Sequence, residues 1–247
     1  MRTYFLVILA FALVGLFGCK KQADNPDNHD KPGDCFTSEA CKLLRKDVSG
    51  YLGNYYTTYE YDADNRLKHY QAVDSVRTVD TYLEYDAQCR LVKTTEKGPN
   101  GTTVKTINYQ SDYILIAADN GAVTKLVYKA GTKQIDYDCS ESGDNQHEWI
   151  YEGDNVVEKR YGADGLYLSY DAKKAYKLVD LPGENSANNI LGYSTKQGHG
   201  SGHEDYTYVY NEYGYPVSAD VESYTISPVP GPVTKYKSHV TYTCDCK

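Results

Sequence analysis

Met, Trp and Phe are nearly absent. The 247-residue chain has one Met, one Trp and four Phe. Three of those Phe (Phe5, Phe11 and Phe17) fall near the start, which leaves only Phe36 and Trp149 as large non-tyrosine aromatics later on. A core of the usual Phe, Met and Trp filler is thereby excluded. Basic charge is also short: 26 Lys and Arg face 34 Asp and Glu, a formal net charge of −8. With no basic stripe, nucleic acid and anionic lipid surfaces are poor electrostatic partners. No Gly-x-Ser-x-Gly elbow, His-Glu-x-x-His pair or phosphate-cradling glycine loop occurs. No Cys-x-x-Cys pair occurs either, which removes the common zinc spacing. These absences point to a chain without catalytic residues, metal or cofactor.

What is present is tyrosine, 27 residues of it, organised around Tyr59-Glu60-Tyr61-Asp62-Ala63-Asp64-Asn65-Arg66-Leu67. Degenerate copies begin at Tyr85, Tyr151, Tyr170 and Tyr210. Each copy reads as a hairpin with a three-residue loop, a type I turn closed by a left-handed residue. Asp62 suits the first turn position, where its carboxylate accepts backbone N–H groups further on. Asn65, Cys89, Asn155, Lys174 and Gly214 occupy the left-handed slot. Cys89 is unusual there and suggests retention for its sulfur. This register pairs Tyr61 with Leu67, Tyr59 with His69, Tyr85 with Leu91, Tyr151 with Val157, Tyr170 with Tyr176 and Tyr210 with Pro216.

The start of the chain has a different character. Arg2 precedes an apolar run from Tyr4 to Phe17, too short for a membrane span of roughly 20 residues. A charged start, a short apolar stretch and small residues read as a secretory signal over 1–18. Leu16-Phe17-Gly18-Cys19 resembles the lipobox of bacterial lipoproteins. The resemblance implies that Cys19 is acylated and anchors the chain to a membrane. Residues 19–34 are polar and Pro- or Gly-containing and read as a flexible tether. Residues 35–50 hold Cys35 and Cys41, with a short helix expected from Thr37 to Lys46, capped by Ser38.

From Tyr51 to Lys247 period-two alternation dominates. Tyr55, Thr57, Tyr59 and Tyr61 share one face; so do His147, Trp149 and Tyr151, and Tyr236, Ser238, Val240 and Tyr242. The opposite faces are mostly Thr, Asp, Glu, Lys and Asn. That is the pattern of antiparallel strands with one covered and one wet face. The fold class is all-β: an antiparallel meander of about a dozen strands forming one large twisted, curved sheet or an open barrel-like sheet. Gln197 to Asp205, with three glycines, His199 and His203, reads as a solvated loop rather than a metal site.

Six cysteines remain after Cys19: Cys35, Cys41, Cys89, Cys139, Cys244 and Cys246. An even count in an exported chain suggests disulfides. The preferred pairing is Cys89 with Cys139, and Cys244 or Cys246 with Cys35 or Cys41.

The tyrosine unit resembles the YD repeat of RHS-type proteins. The whole pattern resembles a domain family of unknown function in lipoproteins of the Bacteroidota. The likeness rests on Tyr151 to Val156, Asn188 to Gly192, Tyr208 to Pro216 and Val240 to Cys244. It implies a β-rich exported domain and supplies no catalytic residues. The expected function is therefore a lipid-anchored, non-catalytic outer-membrane or cell-surface lipoprotein that binds a glycan or a protein. An exposed aromatic patch at His147, Trp149 and Tyr151 is the candidate ligand site. The other readings are a structural lipoprotein that pairs through its sheet edges and, least favoured, a hydrolase.

Overall fold

Leu91 is almost fully buried, as are Leu43, Leu67 and Ile135, and all lie on one face of their strands. Burial of each contributes about 1.5–3 kcal/mol, and that common face becomes the inside of a barrel. The structure is a computed structural model and describes residues 41–247 except 52, 133, 141–145, 154, 162–163, 176–187, 198–199, 227–232 and 247. The described residues form sixteen strands and no helix. They are β1 (Cys41–Gly50), β2 (Tyr55–Tyr61), β3 (Leu67–Val73), β4 (Thr78–Tyr85), β5 (Leu91–Gly98), β6 (Gly101–Tyr109), β7 (Tyr113–Ala118) and β8 (Val123–Tyr128). Then follow β9 (Ile135–Ser140), β10 (His147–Glu152), β11 (Asn155–Tyr161), β12 (Asp164–Lys174), β13 (Asn188–Gln197), β14 (Gly200–Tyr210), β15 (Pro216–Ile226) and β16 (Lys235–Cys246). Each pairs antiparallel with its neighbours in sequence, and β1 pairs with β16, so the meander closes.

The all-β antiparallel meander in a large barrel-like sheet is as expected; the strands number sixteen rather than about a dozen, and the barrel is closed rather than open. Among the described residues closure leaves no strand without a neighbour on both sides, so pairing with another chain through sheet edges finds no free edge there. The helix expected over Thr37 to Lys46 is absent from its described part, because Cys41 onward is strand β1. That strand is needed by β16 to close the ring, and nine backbone register pairs hold it there. The segment to its N-terminal side, with Cys19 and Cys35, lies outside the described residues.

The hairpin chemistry holds at two copies in full. Asp62 Oδ1 accepts the backbone N–H of Asp64 and of Arg66, both at 2.9 Å, while Oδ2 accepts from Arg66 Nε at 2.7 Å. Asp86 repeats this with Gln88 and Arg90. Asn65 and Cys89 take left-handed φ values of 62° and 64°, and Gly214 of 82°. Tyr61 faces Leu67, Tyr85 faces Leu91 and Tyr210 faces Pro216. A bulge shifts Tyr59 opposite Tyr70 rather than His69. At the third copy Gly153 supplies the positive φ of 60°, not Asn155, and Tyr151 faces Val156 rather than Val157. The fourth copy is no turn: β12 runs on through Lys174, which pairs with Asn188, and Tyr176 lies outside the described residues.

The repeated tyrosine has a structural task. Pairing between β1 and β2 reaches only Arg45 opposite Thr58, so the Leu43 carbonyl beyond it has no ladder partner on that side. Tyr61 Oη donates to it at 2.9 Å. In the same way Tyr85 Oη donates to the Leu67 carbonyl and Tyr109 Oη to the Leu91 carbonyl, each at 2.9 Å. Tyr170 Oη donates to the Val156 carbonyl at 2.8 Å, and Tyr151 Oη accepts from Ile135 N–H at 3.1 Å. The strands splay at this end of the barrel, and a phenol latches each gap.

Candidate functional site

The face assignments locate the site. Along β16, Ser238, Val240 and Tyr242 are buried while His239, Thr241 and Thr243 are exposed. On β15 Ala219, Val221 and Ser223 are buried, and Asp220 is exposed. The inner face is thus apolar and tyrosine-rich; the outer face is polar and charged. The outer wall also carries Arg45 bonded to Asp47, His69 with Asp80, Lys93 with Glu84 and Lys235 with Glu222.

Inside, β15 and β16 present the small buried residues Ala219, Ser223 and Ser238. Glu204, 9 % exposed, sits there on β14. Tyr206 Oη donates to Glu204 Oε2 at 2.7 Å. Tyr193 also hydrogen-bonds Glu204, and burial with the Glu204 charge raises its phenol pKa. Tyr55 is raised by burial first and by Glu204 second. Lys46, from β1, is lowered by burial, partly offset by the Glu204 charge. Tyr206, Tyr208 and Tyr210 follow one another up the wall, with ring centroids 5.9 and 5.8 Å apart. At the end away from the Tyr–Asp hairpins the interior is wet. Glu96, Lys105 and Thr124 share the inward register of Thr81, Ile107 and Leu126, yet are exposed. The candidate site is therefore the inner face near that wet end, with tyrosine rings, the buried Glu204 carboxylate and the half-buried Lys46 ammonium.

The residues expected to form an exposed aromatic patch are placed elsewhere. Trp149 is 5 % exposed and points inward. Its Nε1 donates to Asp138 Oδ2 at 2.6 Å, and Lys159 Nζ lies 3.5 Å from the ring centroid. His147 Nδ1 is 2.7 Å from Asp138 Oδ1, and Tyr151 is one of the latches. Trp149 and Tyr151 belong to the core, flanked by side chains of β9 and β11, while His147 is half-exposed beside Asp138. Gln197 to Asp205 is not a loop in its described part: β13 and β14 form a hairpin there. Its glycines serve close approach, since a Cβ on Gly202 would lie 3.2 Å from Thr195 Oγ1 and one on Gly192 3.0 Å from the Glu204 carbonyl. His203 stacks on Tyr224 on the outer face, away from Glu204, and His199 lies outside the described residues. The sequence pattern puts Glu204 in a solvated loop and does not flag Lys46; a lone acid among the inward tyrosines of β14 is the available signal.

Of the two expected cysteine pairings, the one tying Cys244 or Cys246 to Cys35 or Cys41 is met, and the one between Cys89 and Cys139 is not. Cys41 and Cys246 form a disulfide that ties the two ends of the sheet. Cys139 and Cys244 are free thiols, so Cys89 does not pair with Cys139; Cys89 is itself disulfide-bonded. Cys139 sits on the outer register of β9 opposite Lys125, whereas Cys89 is in a turn at the latched end.

No family model and no curated protein matches the chain. Among solved structures, the crystal structure of a porin-like protein from Bacteroides uniformis is similar over 82 % of this chain and 98 % of that one, at 13 % identity and a TM-score of 0.40.

Proposed function

We propose that the chain is an exported, non-catalytic lipoprotein, anchored through Cys19, that holds a glycan in the wet half of its barrel. The observation that carries this is the polarity of the wall. A lipid-spanning barrel turns an apolar band outward and polar residues inward; here His239, Thr241, Asp220 and Glu84 face out while Val240, Val221 and Leu83 face in. Such a wall stands in water, and membrane attachment falls to the lipid at Cys19. The mouths of β-barrels are frequent ligand sites. Tyrosine faces stack on sugar C–H surfaces, and a buried carboxylate beside Tyr206 and Tyr193 accepts hydroxyl hydrogen bonds. Among the described residues every carboxylate with a displaced pKa is displaced downward, as at Asp47, Asp80 and Glu222.

The test is a glycan array probed with the detergent-solubilised chain, followed by titration of each hit against Tyr193→Ala and Glu204→Gln. Binding that weakens at least roughly tenfold in both variants, with far-UV dichroism unchanged, supports the reading. An array without hits, or hits indifferent to both substitutions, removes it. Labelled palmitate that enters the native chain but not Cys19→Ala checks the anchor.

A further inference from the structure

The disulfide that closes the barrel does not stand alone. Cys244, a free thiol, has its Sγ 3.5 Å from Cys246 Sγ, and the sulfurs of Cys41, Cys244 and Cys246 all lie within 4.8 Å of one another. A fourth residue completes the cluster. Asn211, in the turn between β14 and β15, donates from Nδ2 towards Cys246, Cys244 and Cys41 at 3.4, 3.7 and 3.9 Å. Its orientation is fixed, because Oδ1 accepts the backbone N–H of Tyr213 and Tyr215 at 3.1 and 3.0 Å. Asp62 and Asp86 hold the same turn position in the first two copies, and their second oxygen accepts from an arginine. In the last copy the acid is an amide, and its second atom donates to sulfur. An N–H aimed at three sulfurs opposes a bound cation and favours a thiolate. That argues against a metal centre and for sulfur chemistry.

We infer that Cys41, Cys244 and Cys246 form one thiol–disulfide exchange unit, in which Cys244 attacks Cys246 and reversibly unlocks the seam between β1 and β16. The step balances without an external oxidant or reductant. Cys244 loses its thiol proton to water, and its sulfur bonds to Cys246 Sγ. The Cys41–Cys246 bond breaks, and Cys41 leaves as a thiolate that takes up a proton. Two strand residues span about 6.7 Å, near the upper end of the Cα separation a disulfide bridges. The new Cys244–Cys246 bond is thus within reach, and the covalent tie between the first and last strands is gone. Asn211 is a positioning residue that stabilises whichever sulfur carries the charge.

The full chain, purified without reductant, is held at about pH 8.5, near the ordinary thiol pKa. It is then acid-quenched, alkylated and cut before aspartates, which separates Cys244 from Cys246 at Asp245. Mass spectrometry should find alkyl label on Cys41 as well as Cys244, and a Cys244–Cys246 linkage beside Cys41–Cys246. Label confined to Cys244, with Cys41–Cys246 the sole linkage at every time point, overturns the inference. In Cys41→Ser, oxidation in air should join Cys244 to Cys246; two persistent thiols there count against it, and the native-chain result stands even if this variant fails to fold. Asn211→Asp keeps the turn, as Asp62 and Asp86 do. It should slow exchange roughly tenfold at unchanged melting temperature, whereas an unchanged rate removes Asn211 from the unit.

Discussion

Replacing Tyr85 with Phe removes one oxygen and little else. The Tyr85 hydroxyl satisfies the carbonyl of Leu67, a residue 2 % exposed. Pairing of β3 with β4 stops at His69 opposite Tyr82, so no backbone group can take over. The ring remains, and with it the Arg66 guanidinium 5.2 Å above the centroid. The change therefore isolates an orphaned buried acceptor, which costs about 1–3 kcal/mol. For a domain of this size each kcal/mol corresponds to roughly 2–4 °C in Tm. Tyr61 and Tyr109 repeat the arrangement two strands to either side, about 10 Å away, so the three costs should add. The triple Phe variant would then lose about 3–9 kcal/mol, comparable to a whole domain's stability. Urea unfolding followed by Trp149 fluorescence and far-UV dichroism measures this. Tyr82→Phe is the control: its ring lies on the exposed outer face, so the loss should stay within about 0.5 kcal/mol. A Tyr85→Phe variant no less stable than the Tyr82→Phe control would refute the latch.

Three further outcomes are expected. Trp149 emission should be blue-shifted and resist iodide, since the indole is enclosed by Asp138 and Lys159; ready quenching would put it back on the surface. On the acid side, Asp80 is held low by Gln71 and His69. Asp86 is held low although burial opposes it, because the Arg90 backbone N–H and guanidinium outweigh that. Folded values below the unfolded value of about 3.9 mean stability is intact above that pH and lost as pH falls through the folded values. Tm should hold from neutrality to about pH 5 and then drop, less steeply in Asp86→Asn; a Tm flat to pH 2 would contradict this. On the alkaline side burial raises Tyr59, Tyr208 and Tyr242. Their contribution is fully present below the unfolded value of about 10 and is lost as pH rises towards the folded values. Part of the tyrosinate absorbance should therefore appear only together with loss of sheet signal. Complete, reversible ionisation of all the tyrosines near pH 10 with the sheet intact would show that these phenols are not buried.

Local chemistry settled by neighbours in sequence was legible from the chain alone. Asp62 and Asp86 turn the chain, Asn65 and Cys89 take positive φ, and Tyr61–Leu67 and Tyr85–Leu91 face each other, because each depends on atoms within a few residues. Alternation likewise sorted Val240 and Tyr242 from Thr241 and Thr243. What depended on distant strands was not legible. Cys41 to Lys46 suits a helix in isolation and becomes a strand only because β16, at the far end of the chain, needs a partner. Trp149 lies on the expected face, but whether that face is covered is decided by β9 and β11, not by its own period. Cysteine parity predicted disulfides, while the partner of Cys246 was set by closure, which brings Cys41 opposite it. Sequence fixes which side of a strand is dry through a two-residue repeat. Only tertiary structure brings strands from both ends of the chain together, so the seam, Glu204 beside Lys46, and three sulfurs under Asn211 exist only once the ring is closed.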